Sequence, residues 1–295
     1  MARATNRKAR FKLGKFMKIA GLIALAAGLL ITAGCSRDRV NNGEAIELKG
    51  SDTMVNLAQS WAEEYMNQHP EASIAVTGGG SGTGIAALIN GTTDMAMSSR
   101  QLKSSEYEQA VAAGQNPQEF VVGYDGLAVI VNPANPVSEL TLEQIKDIYT
   151  GKIANWQQVG GPDWQIVVLS RESNSGTYIY FREQVLKNEN FRPDALLLPS
   201  SAAEVKEVAN NPAAIAYLGV AYVNEQVKAL GIKSGAEVVY PVNEAILSGK
   251  YPIARPLFIY TANEPAGLVK KFIEFMFSQE GQDIVGRIGY TPLPK

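Results

Sequence analysis

Ser170-Arg171-Glu172-Ser173-Asn174-Ser175-Gly176-Thr177 is the stretch on which the reading turns. The apolar run Ile166-Val167-Val168-Leu169 before it reads as a buried strand, and Tyr178–Val185 after it reads as a helix. An arginine therefore stands at a strand end, and Ser175, Gly176 and Thr177 stand where a helix begins. A helix start offers unpartnered N–H groups and a partial positive charge. Arginine adds a planar fork of donors. Together they make a cradle for a tetrahedral oxyanion. Taken alone, the octet fits a capped helix beside a surface arginine equally well.

The chain of 295 residues is long enough for two domains. Apolar residues make up 46% and charged residues 19%, which fits a globular protein with sizeable cores. The net charge of −2 conceals an asymmetry. Residues 1–34 carry seven Lys/Arg and no acid, and the remainder carries 20 basic and 29 acidic residues. An acidic body speaks against nucleic-acid binding, which needs a basic face. An anion site here must work through local geometry.

The N-terminus reads as an export signal over residues 1–34, with a basic region to Lys18 and an apolar run Ile19–Ala33. Fifteen residues are short for a membrane span, which takes about 20. Cys35, the only cysteine, follows directly, so no internal disulfide can form. Thr32-Ala33-Gly34-Cys35 resembles the lipobox at which bacterial lipoproteins are cleaved and acylated, with Thr32 where an aliphatic residue is usual. Ordinary signal cleavage nearby is the alternative. Lipidation at Cys35 predicts a membrane anchor, with residues 35–45 as tether.

Further along, strands and helices alternate, which predicts α/β layers. Met54, Ala58, Trp61 and Tyr65 fall on one face of a helix, with Ser51 or Asp52 as its N-cap. The strand Ser73–Thr77 leads into Gly78-Gly79-Gly80-Ser81-Gly82-Thr83-Gly84, where glycines let backbone amides approach a ligand. No Gly-Lys-Ser/Thr follows, so this is not a Walker loop. Asp94–Ser98 is a third strand, ending in Ser98-Ser99-Arg100. Val121–Val131, broken by Tyr124-Asp125-Gly126, is long enough to cross between domains. Thr141 and Gln144 fit a capping box for a helix that stops at Gly151.

Three loops thus share one grammar of strand, hydroxyl or glycine, then helix. In open α/β sheets, ligands bind beyond the carboxyl ends of strands. Enzyme constellations are poorly represented. The lone His69 sits at a helix end, away from any nucleophile elbow. No Cys/His cluster suits zinc, and the carboxylates are scattered. No catalytic residue, cofactor or metal is expected.

The lipobox, Gly50-Ser51-Asp52-Thr53, the Ser81 loop, Ser98-Ser99-Arg100 and Ser170–Thr177, in that order, resemble the phosphate-binding proteins of bacterial phosphate ABC importers, the PstS family. Leu142–Trp156 and Arg255–Tyr260 are similar too. The resemblance implies a two-lobed periplasmic-binding-protein fold of type II, with mixed sheets flanked by helices and two crossover segments. It places residues 46–130 and 252–295 in lobe I and 131–251 in lobe II. It implies inorganic phosphate clamped between the lobes and delivered to ABC permease subunits, outside the cytoplasm. By position, Thr53, the Met54 amide and Ser81 would donate from one lobe, and Arg171, Ser175, Gly176 and Thr177 from the other. Much of the family has a proton-accepting aspartate where this chain has Arg100. Asp52 is expected to supply that acceptor, with a plain N-cap as its alternative, and Ser99 an extra donor. Arg100 is left to pair with Asp52 or with the ligand. The competing expectations are a binder of another oxyanion such as sulfate, an extracytoplasmic phosphatase using Ser175 or Ser81, and a surface signalling or adhesion protein.

Overall fold

In a computed structural model, residues 44–294 are described; the export signal, Cys35 and most of the tether lie outside them. The strands run in chain order as β1 (Ala45–Gly50), β2 (Ser73–Thr77), β3 (Met95–Ser98), β4 (Gln118–Val131), β5 (Glu139–Thr141) and β6 (Val167–Arg171). They continue as β7 (Leu196–Leu198), β8 (Ala214–Gly219), β9 (Lys228–Ala229), β10 (Gly231–Ser234), β11 (Glu237–Val239) and β12 (Ala254–Thr261). The main sheet has the order β2-β1-β3-β12-β4-β8-β6-β7, with β9 also on β4, and β11-β10-β5 forms a separate small sheet.

The sheet is mixed. β1 is parallel to β2 and β3, whereas β12 runs antiparallel to β3 and β4. β8 runs antiparallel to β4 and parallel to β6. The long β4 is the crossing element: Gln118–Gly126 pairs with β12, and Leu127–Val131 pairs with β8. Two cores sit on either side of that change of partner. One gathers Leu48, Trp61, Met97, Val122, Leu257 and Phe272. The other gathers Leu127, Ile148, Trp156, Phe181, Tyr217 and Ile253. β4 and the run from Tyr251 into β12 are the two strands of chain that connect them.

Local chemistry explains the elements around the site. The helix Val55–Gln68 buries Leu57, Ala58, Trp61 and Tyr65 on one stripe. Trp61 is fully buried, and its indole N–H donates to Gly281 O at 2.8 Å. Truncating such a residue to Ala costs about 3–5 kcal/mol. The Thr141/Gln144 capping box forms as the sequence predicts, and Gly151 in a left-handed conformation ends the helix Leu142–Thr150. Phe181 stacks on Tyr217 with ring centroids 3.7 Å apart, fixing the helix Gly176–Gln184 over β8. Strands β9–β11 were not foreshadowed by the sequence: they are two to four residues long and interrupted by Leu230, Gly235 and Ala236.

Candidate functional site

β1, β3 and β6 end at Gly50, Ser98 and Arg171, and the loops that follow them meet. After β1, Asp52–Met54 forms a single 3-10 turn, in which Met54 N–H donates to Ser51 O at 3.0 Å. The Met54 amide expected to face the anion is thus engaged within its own turn. Neither Ser51 nor Asp52 caps the helix with its side chain, which corrects the N-cap expectation. Ser51 Oγ donates instead to Ser99 Oγ at 3.0 Å. Two tyrosines, the half-buried Tyr222 and the fully buried Tyr290, hold the turn: Tyr222 OH donates to Asp52 O at 2.7 Å, and Tyr290 OH to Thr53 O at 2.5 Å.

The glycine run ends on Gly80, whose φ of 92° suits glycine and where a Cβ would come within 2.8 Å of Asn174 O. Ser81, the first residue of the helix Ser81–Ile89, is fully buried and accepts from Ser99 N–H at 3.1 Å. The octet arrives from the opposite side. Ser175 caps the helix Gly176–Gln184, its Oγ accepting from Tyr178 N–H at 3.4 Å. Gly176 faces the other two loops, and a Cβ there would collide with Ser81 Oγ and lie 2.8 Å from Ser99 Oγ. Thr177 Oγ1 shares a hydrogen bond of 2.9 Å with Thr53 Oγ1. Gly82 N–H donates to Asn174 O at 2.9 Å. Thr53, Ser81, Ser99, Ser175, Gly176 and Thr177 therefore converge from the ends of four strands, β1, β2, β3 and β6, all six residues buried.

Two ion pairs flank this convergence. Arg171 is 1% exposed and donates from Nη2 to Asp52 Oδ2 at 2.8 Å and to Pro199 O at 2.8 Å. Its Nε and Nη1 donate to Leu198 O and Ser201 Oγ, each at 3.2 Å. Asp52 Oδ1 accepts from Gly79 N–H at 3.1 Å. A carboxylate offers about four lone-pair sites, so Asp52 can accept further hydrogen bonds. The second pair is Arg255 with Asp125, 1% and 0% exposed. Asp125 Oδ2 accepts from Arg255 Nη2 at 2.8 Å and Nε at 3.0 Å, and Oδ1 from Val220 N–H at 3.0 Å. Burial pushes the Asp125 carboxyl up, and the Arg255 guanidinium opposes that shift.

Arg100 stands apart. Its Nη1 and Nη2 close on the Glu106 carboxylate at 2.8 and 2.7 Å. Its guanidinium does not pair with Asp52, which corrects that one of its two expected roles. Behind Arg171, Ser170 Oγ and Tyr217 OH share a 2.7 Å hydrogen bond. Near them, Glu204 on the helix Ser201–Asn210 is fully buried, and neither carboxylate oxygen finds a partner among the described residues. Burial raises its pKa to about 8, only partly offset by Arg171. Asp125, Arg255 and Glu204 were missed by sequence reasoning as parts of this neighbourhood. Among the described residues, no group of three His, Cys, Asp or Glu is placed to hold a metal ion.

Buried hydroxyls, backbone N–H groups at two facing helix starts and two buried arginines, brought together where two cores meet, describe a binding cleft for a small oxyanion. The family model described as the PBP superfamily domain matches residues 37–280. The phosphate-binding protein PstS of Pseudomonas aeruginosa is 35% identical over 266 residues, covering 83% of this chain and 82% of that protein. PstS of Bacillus subtilis is 30% identical, covering 94% of each. A solved structure of a phosphate ABC transporter substrate-binding protein with bound phosphate, from Clostridium perfringens, superposes with a TM-score of 0.79 at 35% identity, covering 85% of this chain and all of that one. The chain belongs to the PBP superfamily and, within it, to the PstS family of phosphate-binding proteins.

Proposed function

We propose that this protein is an extracytoplasmic substrate-binding protein that captures inorganic phosphate between two lobes and delivers it to the permease subunits of an ABC importer. The observation that carries the reading is the convergence of Thr53, Ser81, Ser99, Ser175, Gly176 and Thr177 beside the Arg171–Asp52 pair. Lobe I comprises residues 46–130 and 252–295, and lobe II residues 131–251. Each supplies loops to one side of the anion, so phosphate binding favours the closed arrangement. The closed form is what the permease recognises. Charge-assisted hydrogen bonds contribute about 1.5–3 kcal/mol each. Several of them support micromolar or tighter binding, since 1 μM corresponds to about −8.2 kcal/mol.

Asp52 orients Arg171 and accepts the proton of hydrogen phosphate, which fully ionised sulfate lacks; a buried acceptor left without a proton rejects the wrong anion. Acylation of Cys35 anchors the protein at the outer face of the cell membrane. The protein binds and does not turn over phosphate esters. Loss of a measurable phosphatase activity on Ser175→Ala would overturn that last statement.

The test is thermal unfolding of phosphate-stripped protein. Phosphate at about 100 times its Kd adds about 2.7 kcal/mol to the folded state. For a chain of this size that raises Tm by roughly 5 °C. Sulfate at the same concentration is expected to shift it far less. An unchanged Tm at millimolar phosphate would remove the reading.

A further inference from the structure

Arg255 comes from neither of the helix-start loops. It lies on β12, directly across from Asp125 on β4 in the strand register. These are the strands that run between the two cores, and Asp125 immediately precedes the change of partner at Gly126 and Leu127. The guanidinium nonetheless reaches the centre of the cleft. Nη2 donates to Thr177 Oγ1 at 3.0 Å and approaches Thr53 Oγ1 at 3.5 Å, the two hydroxyls that face each other from opposite loops. Nη1 donates to Ser99 O at 3.1 Å.

Asp125 occupies Nε and one side of Nη2, and the Tyr180 ring lies 5.5 Å from the guanidinium carbon. Of the five N–H groups of an arginine fork, the second on Nη1 meets no acceptor among the described residues.

We propose that Arg255 is the second cation of the phosphate site, held by Asp125 at the crossing strands and aimed at the anion between Thr53 and Thr177. The proposal rests on the phosphate reading and deepens it. Arg171 reaches the cleft from one side with Asp52 as partner, and Arg255 reaches it from the floor with Asp125 as partner. Each arginine alone is neutralised by its carboxylate, so a doubly charged ligand needs both. In a water-excluded site, charge interactions are several times stronger than in water. The second arginine therefore favours the phosphate dianion over the monoanion.

Burial pushes up the Asp125 carboxyl against Arg255 and the guanidinium opposes that shift; Glu204, at about 8, faces Arg171 and is common to wild type and the Arg255 variants, so it cancels in their comparison. Burial pushes up the pKa of Tyr180 on the neighbouring helix, and likewise of Tyr251 and Tyr290 beside Asp125. Thr53, Thr177 and the Ser99 carbonyl do not ionise. Arg100, Lys103 and the exposed Glu183 line the groove that adjoins Arg255.

The experiment is calorimetric titration of phosphate into wild type, Arg255→Gln and Arg255→Lys at about pH 6 and about pH 8, either side of the second ionisation of phosphate. Wild type is expected to bind more tightly at the higher pH. Arg255→Gln is expected to weaken binding about 100-fold at pH 8 but only about tenfold at pH 6, a charge-assisted bond being worth about one to two decades. Arg255→Lys, which keeps the charge, retains part of the pH preference and decides the matter should the Gln variant fail to fold. Equal losses at both pH values, or wild-type affinity in a variant of lowered Tm, would make Arg255 a structural residue only and overturn the proposal. Failure of wild type to bind phosphate at either pH would instead remove the phosphate reading itself, and the proposal with it.

Discussion

Replacing Glu204 by Gln takes an ionisable group out of a place that water does not reach. The carboxyl is fully buried, without a hydrogen-bond partner among the described residues, and its pKa stands at about 8 against 4.5 for an ordinary glutamate. Between those values the folded protein keeps the proton that the unfolded chain has lost. The folded state then binds more protons than the unfolded one, so stability falls as pH rises. The slope is about 1.4 kcal/mol per pH unit, which over that interval withdraws up to about 5 kcal/mol. The loss starts near pH 4.5 and levels off above about pH 8.

Gln has nearly the same shape and no such titration. Its buried amide carries a desolvation cost of about 1–3 kcal/mol that does not vary with pH. The other titrating groups are common to both proteins and cancel in the difference. Urea unfolding followed by circular dichroism at about pH 5, 6.5 and 8 measures that difference. Glu204→Gln is expected to gain on wild type by about 1.4 kcal/mol for each pH unit. A difference that stays constant across the three pH values would refute the reasoning.

Three further perturbations probe the cleft. Gly176→Ala places a methyl against Ser81 and Ser99 and holds the facing loops apart; phosphate affinity should fall about 100-fold or more, a loss of two charge-assisted contacts, and unchanged affinity by calorimetry would contradict the close approach. Asp125→Asn leaves the buried Arg255 charge uncompensated and should cost about 3–5 kcal/mol of stability; denaturant titration showing a loss below about 1 kcal/mol would contradict it. Arg100→Ala should leave phosphate affinity within about threefold of wild type, because Glu106 holds its fork, whereas a large loss would return Arg100 to the site.

The cleft loops were legible because their signals are local. β6 and the helix Gly176–Gln184 follow from an apolar run, a serine cap and a glycine within a dozen residues. The capping box at Thr141 is similarly contained in four residues. Arg255 and Asp125 were not legible, because they lie 130 positions apart and meet only through the β4–β12 register. In the sequence, Tyr124-Asp125-Gly126 reads as a break in an apolar run. Arg100 misled through its neighbours: it follows two serines like a site residue, but Glu106, near the start of the next helix, captures it. Glu204 did leave a signal. Ser201, Glu204, Val205 and Val208 are spaced as one buried helix face, and a glutamate in such a stripe marks a buried carboxyl that holds its proton.

Phosphate and sulfate titrated calorimetrically into the stripped protein and its Asp52→Asn variant, near neutral pH, test the central claim most directly. One phosphate per chain is expected to bind wild type with a Kd of about 1 μM or less. Sulfate is expected to bind at least about tenfold more weakly, and the variant to lose most of that preference. Equal affinity of wild type for the two anions would contradict the role of Asp52, and no heat from either would contradict the account as a whole.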